Sequence, residues 1–197
     1  MRKREKIFPI VLAAGSSGHL PFPKPMAMFG RKTALAIAVE NCVGLEHPLV
    51  VLGCDVGLVR SAVPRPAEIV MNRGWRRGQI SSLRRALRQI PEDAAFLIYP
   101  VDHPLLERKT IQRLVRAFRT RDESQEITVP RCGRIYGHPA IISGTLREEF
   151  FKSKTARDVI YREPARVRTV TVSMRDIFMD FNTPESYRRC LQRFRRR

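Results

Sequence analysis

Short apolar runs of strand length alternate along this chain with stretches of helical periodicity. The run at 49–53 is continuously apolar, as in a strand buried on both faces of a sheet. Together the runs lie at residues 7–12, 49–53, 68–71, 94–99 and 126–130. Apolar side chains at i, i+3, i+4 and i+7 predict helices between them. These helices fall at residues 33–42, 55–61, 80–90 and 111–118. Pro9 cannot donate to a strand ladder, so we expect it at the start of the first strand.

The C-terminal part continues the alternation. We predict a strand at 139–143, which we expect to be antiparallel, a helix at 156–162 and a strand at 167–172. A short extended piece at 176–181 leads into the last helix, over 183–192. Strands that alternate with helices form right-handed βαβ units. We therefore predict an α/β fold: one Rossmann-like, doubly wound, mostly parallel sheet with helices on both faces.

Two helix starts carry capping signals. Thr155-x-x-Asp158 resembles a capping box, with an aspartate in place of the usual glutamate. Thr183-Pro184-Glu185 combines a capping hydroxyl, a proline in the first turn and an acid at the positive end of the helix dipole.

Composition limits the kind of protein this is. The 197 residues suit a single domain over 1–197 that ends in a basic tail at 193–197. Lysine and arginine number 37 against 19 acids, a net charge of +18, which favours anionic partners. Four cysteines without metal-ligand spacing indicate a reducing cytoplasm. No segment approaches the roughly 20 apolar residues of a membrane span, so we expect no membrane partner.

A loop of small residues follows the first strand. It comprises Leu12, Ala13, Ala14, Gly15, Ser16, Ser17, Gly18 and His19, and Lys24 comes shortly after it. Small residues let backbone N–H groups approach an anion closely, and a lysine adds a positive charge. Because ligands of α/β sheets gather at the carboxyl ends of strands, this loop is a candidate phosphate site. The alternative from the residues alone is an ordinary Gly/Ser turn.

Asp102 directly follows the strand at 94–99, and Asn182 precedes the last helix. Carboxylate and amide oxygens suit Mg²⁺, which usually takes one or two carboxylates and completes its shell with phosphate oxygens and water. The alternative for both residues is a structural one, in a turn or at a helix cap.

Two further segments carry polar groups at strand ends or helix starts. Ser81 and Ser82 lie at the N-terminus of a predicted helix, where hydroxyls and free N–H groups suit an anion or a base edge. Simple N-capping is the alternative. Gly137-His138-Pro139 precedes a strand, and a lone histidine in such a loop has little functional meaning by itself.

These segments together resemble the MobA-like nucleotidyltransferases, and among them the molybdenum cofactor cytidylyltransferases most closely. The family motifs are L-A-A-G-x-S-x-R-x-G-x-x-K, W-x-x-G-x-x-S-S-L, G-D-x-P, G-H-P and D-x-D/N-T-P-E-D. They correspond to residues 12–24, 75–83, 101–104, 137–139 and 180–185, in the same order. The resemblance implies a nucleotide-diphospho-sugar transferase-like fold.

The resemblance also implies a reaction and roles. CMP would pass from CTP to the phosphate of a molybdopterin-type acceptor, with release of pyrophosphate. Residues 12–17, His19, Lys24, Ser81 and Ser82 would bind the nucleotide, and Lys24 and Asp102 would be catalytic. Asp102 and Asn182 would hold Mg²⁺, and Gly137, His138 and Pro139 would border the acceptor. The product would pass to a molybdoenzyme or to its maturation chaperone.

The chain departs from the family motifs at three positions. His19 stands where the family has an arginine that clamps the triphosphate, Pro21 stands where it has a glycine, and Val101 replaces the glycine of G-D-x-P. One alternative is therefore a diverged paralogue with weak or no turnover, or with another nucleotide or acceptor. A basic nucleic-acid-binding domain is the second alternative, although the chain lacks the spaced aromatics and zinc-finger spacing of the common modules. Steep salt dependence would indicate nucleic acid, whereas dependence on Mg²⁺ and on the base would indicate a nucleotide substrate.

Overall fold

The computed structural model of the protein describes residues 5–172 and 178–196. The strands are β1 (Ile7–Ala13), β2 (Met28–Phe29), β3 (Lys32–Thr33), β4 (Leu49–Leu52), β5 (Glu68–Met71), β6 (Ala95–Pro100), β7 (Ile127–Cys132), β8 (Ile135–Tyr136), β9 (Ala140–Ile142) and β10 (Val167–Thr171). The α-helices are α1 (Ala34–Asn41), α2 (Val56–Val59), α3 (Gln79–Leu87), α4 (Arg108–Arg119), α5 (Arg147–Lys152), α6 (Ala156–Ile160) and α7 (Pro184–Phe194).

The main sheet has the strand order β10-β7-β9-β6-β1-β4-β5, and β8 pairs with the end of β7. Neighbouring strands are parallel around β1 and between β7 and β10, whereas β9 runs antiparallel to both β6 and β7. This confirms the predicted α/β fold with a mostly parallel sheet, including the antiparallel direction of β9. The central position of β1 explains its uninterrupted apolar sequence, because it is buried on both faces.

Alternate residues of β1 point into two separate cores, one on each face of the sheet. Val11 and Ala13 join the core beneath α1, α4 and α7, whereas Ile10 and Leu12 join the core beneath α3, α5 and α6. The period of two along a strand produces this division. Helices therefore cover both faces, as the doubly wound architecture requires.

Pro9 lies inside β1 rather than at its start, so the expected position is wrong. The strand begins at Ile7, and Pro9 pairs with Leu97 of β6. Pairing with β4 begins only at Ile10, opposite Leu49. Because β1 does not yet pair with β4 at Pro9, the missing N–H interrupts no hydrogen bond between these two strands.

The two capping signals are borne out. Thr155 and Asp158 form a reciprocal capping box at the start of α6. The Thr183 hydroxyl accepts from the Ser186 N–H, and the Ser186 hydroxyl accepts from the Thr183 N–H, so α7 also begins with a capping box.

Other details of the C-terminal region differ from the expectation. Of the extended piece at 176–181, residues 176 and 177 lie outside the described residues, and 178–181 form no strand. Within the basic tail at 193–197, α7 continues to Phe194, and residue 197 lies outside the description. The hairpin of β2 and β3, the short strand β8 and helix α5 were not predicted.

Five aromatic rings, two from the N-terminal part of the chain and three from the C-terminal part, form a cluster that we call the aromatic brace. Its members are Phe22, Phe29, Phe181, Tyr187 and Phe194. The ring of Phe29 lies 5.4 Å from those of Phe181 and Tyr187 and 5.7 Å from that of Phe194. The Tyr187 hydroxyl also donates to the Met28 carbonyl at 2.8 Å. The brace thus joins α7 to the hairpin and to the loop that follows β1.

None of the helices in the described part of the chain is long and apolar enough to cross a membrane.

Candidate active site

Two cavities meet where β1 and β6 end, at the carboxyl edge of the parallel strands. The first has a volume of about 340 Å³ and is bounded by the end of β1, the loop after it and Lys24. The second has a volume of about 620 Å³ and lies toward β8, β9 and α6. The lining residues common to both are Gly78, Gln79, Pro100 and Asp102. A group bound in one cavity is therefore adjacent to a group bound in the other.

The loop after β1 is held in place by its own side chains. The Ser17 hydroxyl accepts from the Lys24 N–H at 3.0 Å, and the Ser17 carbonyl accepts from the Leu20 N–H at 3.2 Å. Gly18 adopts a φ of +62°, a conformation that glycine allows without strain. Ser17 therefore shapes the loop, while Gly15 and Ser16 line the first cavity.

The base of the first cavity depends on a close backbone contact. A side chain at Gly53 would lie 2.6 Å from Trp75 Cβ and 2.8 Å from the Ala14 carbonyl oxygen. The next residue, Cys54, donates its N–H to the same Ala14 carbonyl at 2.9 Å. Glycine at this position lets Trp75 and Ala14, which both line the cavity, approach the end of β4.

Ser81 and Ser82 lie at the start of α3 and share one partner. Asn72, buried just after β5, donates its amide to both hydroxyls, at 3.0 Å and 2.9 Å. Its oxygen accepts from the Gly74 N–H at 3.0 Å. Ser82 lines the first cavity, whereas Ser81 faces a separate groove on the other side of Asn72.

The segment before α7 reaches back to the loop after β1. Lys24 donates its ammonium to the Asn182 side-chain oxygen through a short hydrogen bond. The Phe181 N–H donates to the Asp102 carbonyl at 3.2 Å. A side chain at Gly18 would lie 3.8 Å from the Asn182 carbonyl oxygen. These contacts bring Lys24, Asn182 and Asp102, which are far apart in the sequence, to the same edge of the sheet.

The Asp102 carboxylate is the acidic group that lines both cavities. Its Oδ1 lies 3.8 Å from His103 Nε2, and the structure shows no lysine or arginine paired with it in the described part of the chain. The described residues also contain no group of three or more His, Cys, Asp or Glu side chains able to hold a metal. This donor set fits Mg²⁺, which completes its shell with phosphate oxygens and water, better than a metal that needs a full cage of protein ligands.

Of the two residues expected to hold Mg²⁺, Asn182 has its side-chain oxygen occupied by Lys24. A second carboxylate, that of Asp180, lines the second cavity together with Asp102. The sequence places Asp180 two positions before Asn182 in the family motif, but no role was predicted for it.

A pair of histidines forms part of the second cavity. The rings of His103 and His138 lie 5.4 Å apart, and the Nδ1 atoms of both are buried without a hydrogen-bond partner. Burial, with a smaller contribution from His103, lowers the pKa of His138 from 6.5 to about 4. His138 is therefore neutral at physiological pH.

The outer wall of the second cavity combines exposed apolar side chains with basic ones. Ile135 is 49% exposed, Tyr136 46% and Tyr161 37%, and the two tyrosine rings lie 5.8 Å apart. The basic lining residues are Arg77, Lys154 and Arg157. A molecule with a flat ring and a phosphate group matches this combination.

Gly137 provides the close packing behind this wall. A side chain there would lie within 2.0 Å of the Phe178 ring, so only glycine lets the backbone pack against that ring.

The structure thus places most of the predicted residues at the two cavities. Those lining the first are Leu12, Ala13, Ala14, Gly15, Ser16, Lys24, Ser82 and Asp102. Gly137 and His138 line the second with Asp102, and Pro139 follows them without lining it. Three residues predicted to bind the nucleotide line neither cavity: Ser17 supports the loop, Ser81 faces the groove, and His19 is exposed.

Sequence reasoning did not single out Gly53, Asn72, Tyr136 or Tyr161. Gly53 ends one predicted strand and Asn72 follows another, and that position was the available signal. The two tyrosines come from distant segments, and nothing in the sequence indicates that they meet.

A family model described as the MobA-like NTP transferase domain matches residues 9–167. No curated protein sequence matches the chain.

Solved structures share the fold over nearly the whole chain. Rv0371c from Mycobacterium tuberculosis is 25% identical, with a TM-score of 0.82 over 96% of this chain and 100% of that one. A structure of Rv0371c in complex with manganese has a TM-score of 0.75 at 25% identity, over 95% and 98% of the two chains. Molybdopterin-guanine dinucleotide biosynthesis protein A from Archaeoglobus fulgidus has a TM-score of 0.71 over 96% of this chain and 100% of that one. At 15% identity, the last comparison supports the fold alone.

Proposed function

The chain belongs to the MobA-like NTP transferase family, and on that premise we propose that it transfers CMP from CTP to a molybdopterin-type phosphate acceptor. In this reaction an acceptor phosphate oxygen attacks the α-phosphorus of the nucleotide. The bond from that phosphorus to the bridging oxygen breaks, and pyrophosphate leaves with the electron pair.

The observation that carries the proposal is the junction of the two cavities at Asp102. In-line transfer needs the acceptor oxygen and the leaving group on opposite sides of one phosphorus atom. Two adjacent cavities with a shared carboxylate meet this need, with the nucleotide in the first and the acceptor in the second. Holding both substrates in place supplies much of the rate enhancement in reactions of this kind.

Lys24 and the loop after β1 are proposed to bind the triphosphate. The Lys24 ammonium lies at the edge of the first cavity, beside Asn182. Backbone N–H groups of Gly15 and Ser16 supply further donors, and Ser17 fixes the loop that carries them. Positive groups positioned before the reaction stabilise the charge that develops on pyrophosphate.

Asp102 is proposed to hold Mg²⁺, either with Asn182 or with the nearby carboxylate of Asp180. When bound, the ion would neutralise phosphate charge and orient the oxygens of the substrate. The manganese complex of Rv0371c supports a divalent metal in a relative with this fold.

The choice of CTP rests on the form of the loop. Ala13-Ala14-Gly15 resembles the CTP-using side of the family, which has two alanines where the GTP-using side has an alanine and a glycine.

The choice of acceptor rests on the wall of the second cavity. Tyr136 and Tyr161 offer aromatic surface for a pterin-like ring, and Lys154 and Arg157 offer cations for its phosphate. The product would pass to a molybdoenzyme or to its maturation chaperone in the cytoplasm.

One observation favours a second candidate, a paralogue that binds nucleotide but turns over slowly. His19 stands in place of the family arginine, and its side chain is exposed and lines neither cavity. Loss of one preorganised cation typically costs a factor of about 10²–10³ in rate.

The test is pyrophosphate release with each of the four nucleoside triphosphates, Mg²⁺ and molybdopterin. We expect release with CTP above all, and a larger rise in melting temperature with CTP than with GTP, ATP or UTP. Asp102→Ala should lower turnover by roughly 10³-fold. Asp122→Ala is the matched control, because this exposed aspartate lines neither cavity.

The outcomes separate the two candidates. If nucleotides stabilise the protein but no pyrophosphate appears, the slow paralogue is correct. If no nucleotide shifts the melting temperature, or if Asp102→Ala retains full turnover, the proposed site is wrong.

A further inference from the structure

A groove of about 590 Å³, which we call the arginine groove, lies on the far side of Asn72 from the first cavity. Its five arginines are Arg73, Arg77, Arg84, Arg85 and Arg88. The remaining lining residues are uncharged and non-aromatic, and no carboxylate is among them. A concave surface with five positive charges concentrates anions.

Four other arginines of the described residues have acidic partners, namely Arg121, Arg162, Arg166 and Arg188. Arg166 pairs with Glu126, Glu149 and Glu163, and Arg121 pairs with Glu5. By contrast, no acidic side chain among residues 5–172 and 178–196 forms an ion pair with a groove arginine. The groove therefore gathers positive charge that the described part of the fold does not neutralise.

Three of the groove arginines are held in place by neutral partners. Arg84 donates to the Phe150 carbonyl at 2.8 Å, and Arg85 donates to the Met71 carbonyl at 3.2 Å. The Arg88 guanidinium lies over the Phe151 ring, 5.2 Å from its centre. Side chains that are already positioned lose less conformational entropy when they bind an anion.

From this geometry we infer that the arginine groove is a second anion site, which binds a compact, multiply phosphorylated molecule. Phosphate is favoured because guanidinium groups bind it through paired, charge-assisted hydrogen bonds. A small molecule is favoured over a single-stranded nucleic acid because the groove offers no aromatic side chain on which bases could stack. The volume is also within the range of small-molecule sites.

The groove is distinct from the candidate nucleotide cavity. The Asn72 amide donates to Ser81, which lines the groove, and to Ser82, which lines the first cavity, and among the described residues the two sites have no lining residue in common. Arg77 also lines the second cavity and is therefore left unchanged in the test.

The test is isothermal titration with inorganic tripolyphosphate in buffer without divalent metal. The reference is a Lys24→Ala protein, in which the candidate nucleotide cavity has lost its cation. Two double variants that lose the same charge are compared in that background. The groove pair carries Arg85→Ala and Arg88→Ala, and the control pair carries Arg60→Ala and Arg116→Ala on exposed surface outside the groove. Melting temperatures confirm that all the proteins are folded.

We expect tripolyphosphate to bind the reference, the groove pair to weaken binding by about 100-fold, and the control pair to change it little. Equal losses in both pairs would mean only non-specific attraction and would overturn the proposal. So would an absence of binding in the Lys24→Ala reference. The proposal is also wrong if a single-stranded RNA oligonucleotide binds through the groove while tripolyphosphate does not. None of these outcomes depends on the proposed transferase reaction, so the two proposals can fail independently.

Discussion

Replacing Gly53 with alanine should damage the nucleotide cavity and the stability of the protein together. The added Cβ would lie 2.6 Å from Trp75 Cβ, 2.8 Å from the Ala14 carbonyl oxygen and 2.9 Å from Trp75 Cγ. Neither the backbone oxygen nor the Cβ can move without moving the main chain. Overpacking of this kind costs about 1–3 kcal/mol. For a chain of this size, a loss of about 2 kcal/mol lowers the melting temperature by roughly 4–8 °C.

The functional part of the effect comes from the same contacts. Ala14 and Trp75 line the first cavity, so their displacement should weaken nucleotide binding as well. The assays are thermal unfolding, with and without CTP and Mg²⁺, and titration of the nucleotide. Gly57→Ala is the matched control, because nothing lies within 4 Å of a side chain there and its φ is ordinary. An alanine in that helix should leave stability unchanged or raise it by up to about 1 kcal/mol. If Gly53→Ala melts and binds nucleotide like the wild type, the close approach that we describe does not shape the cavity.

Three further changes test other parts of the structure. The pKa of His138 lies near 4 rather than 6.5, so the stability it contributes is present above pH 6.5 and is lost as the pH falls toward 4. Between pH 6.5 and pH 4, the free energy of unfolding of His138→Gln should therefore fall by about 3 kcal/mol less than that of the wild type. Denaturant titrations measure this, and parallel pH curves for the two proteins would contradict it. Tyr187→Phe removes the hydrogen bond to the Met28 carbonyl and should cost about 1 kcal/mol in the same assay, whereas an unchanged midpoint would mean that water replaces it. His19→Arg should raise kcat/KM for pyrophosphate release by about tenfold or more, and a fall would exclude the family arginine as the missing group.

The buried strands could be predicted because their sequences are dictated by burial on both faces. The runs that became β1, β4 and β6 are apolar from end to end, and such runs require cover on two sides. The direction of β9 was expected, but its place between β6 and β7 was not, because strand order depends on packing between distant segments.

The elements that escaped prediction are those without a pattern of their own. β2, β3 and β8 have two residues each, too few to show alternation. Helix α5 has six residues, of which only Phe150 is buried, so it carries no apolar stripe. Arg84, which donates to the Phe150 carbonyl, is one of the tertiary contacts that stabilise it.

The candidate site was predictable where residues lie at strand ends. The loop after β1 and Asp102 follow β1 and β6, and the topology brings such ends together. Side-chain direction was not predictable to the same degree. Ser81 and Ser82 are adjacent, yet the helix turns them toward different sites. The contact between Tyr136 and Tyr161 depends on how β8 and α6 pack, which no local pattern encodes.

The aromatic brace makes the nucleotide loop depend on residues that are distant from it in the sequence. Lys24 and Asn182 are 158 positions apart, and Phe181, Asn182 and α7 contact the loop after β1 and the hairpin from the far end of the described chain. A truncated chain that stops after Thr171 would keep the strands described above but would lose every one of these contacts. Competence to bind substrate therefore depends on a segment that contributes no strand to the sheet.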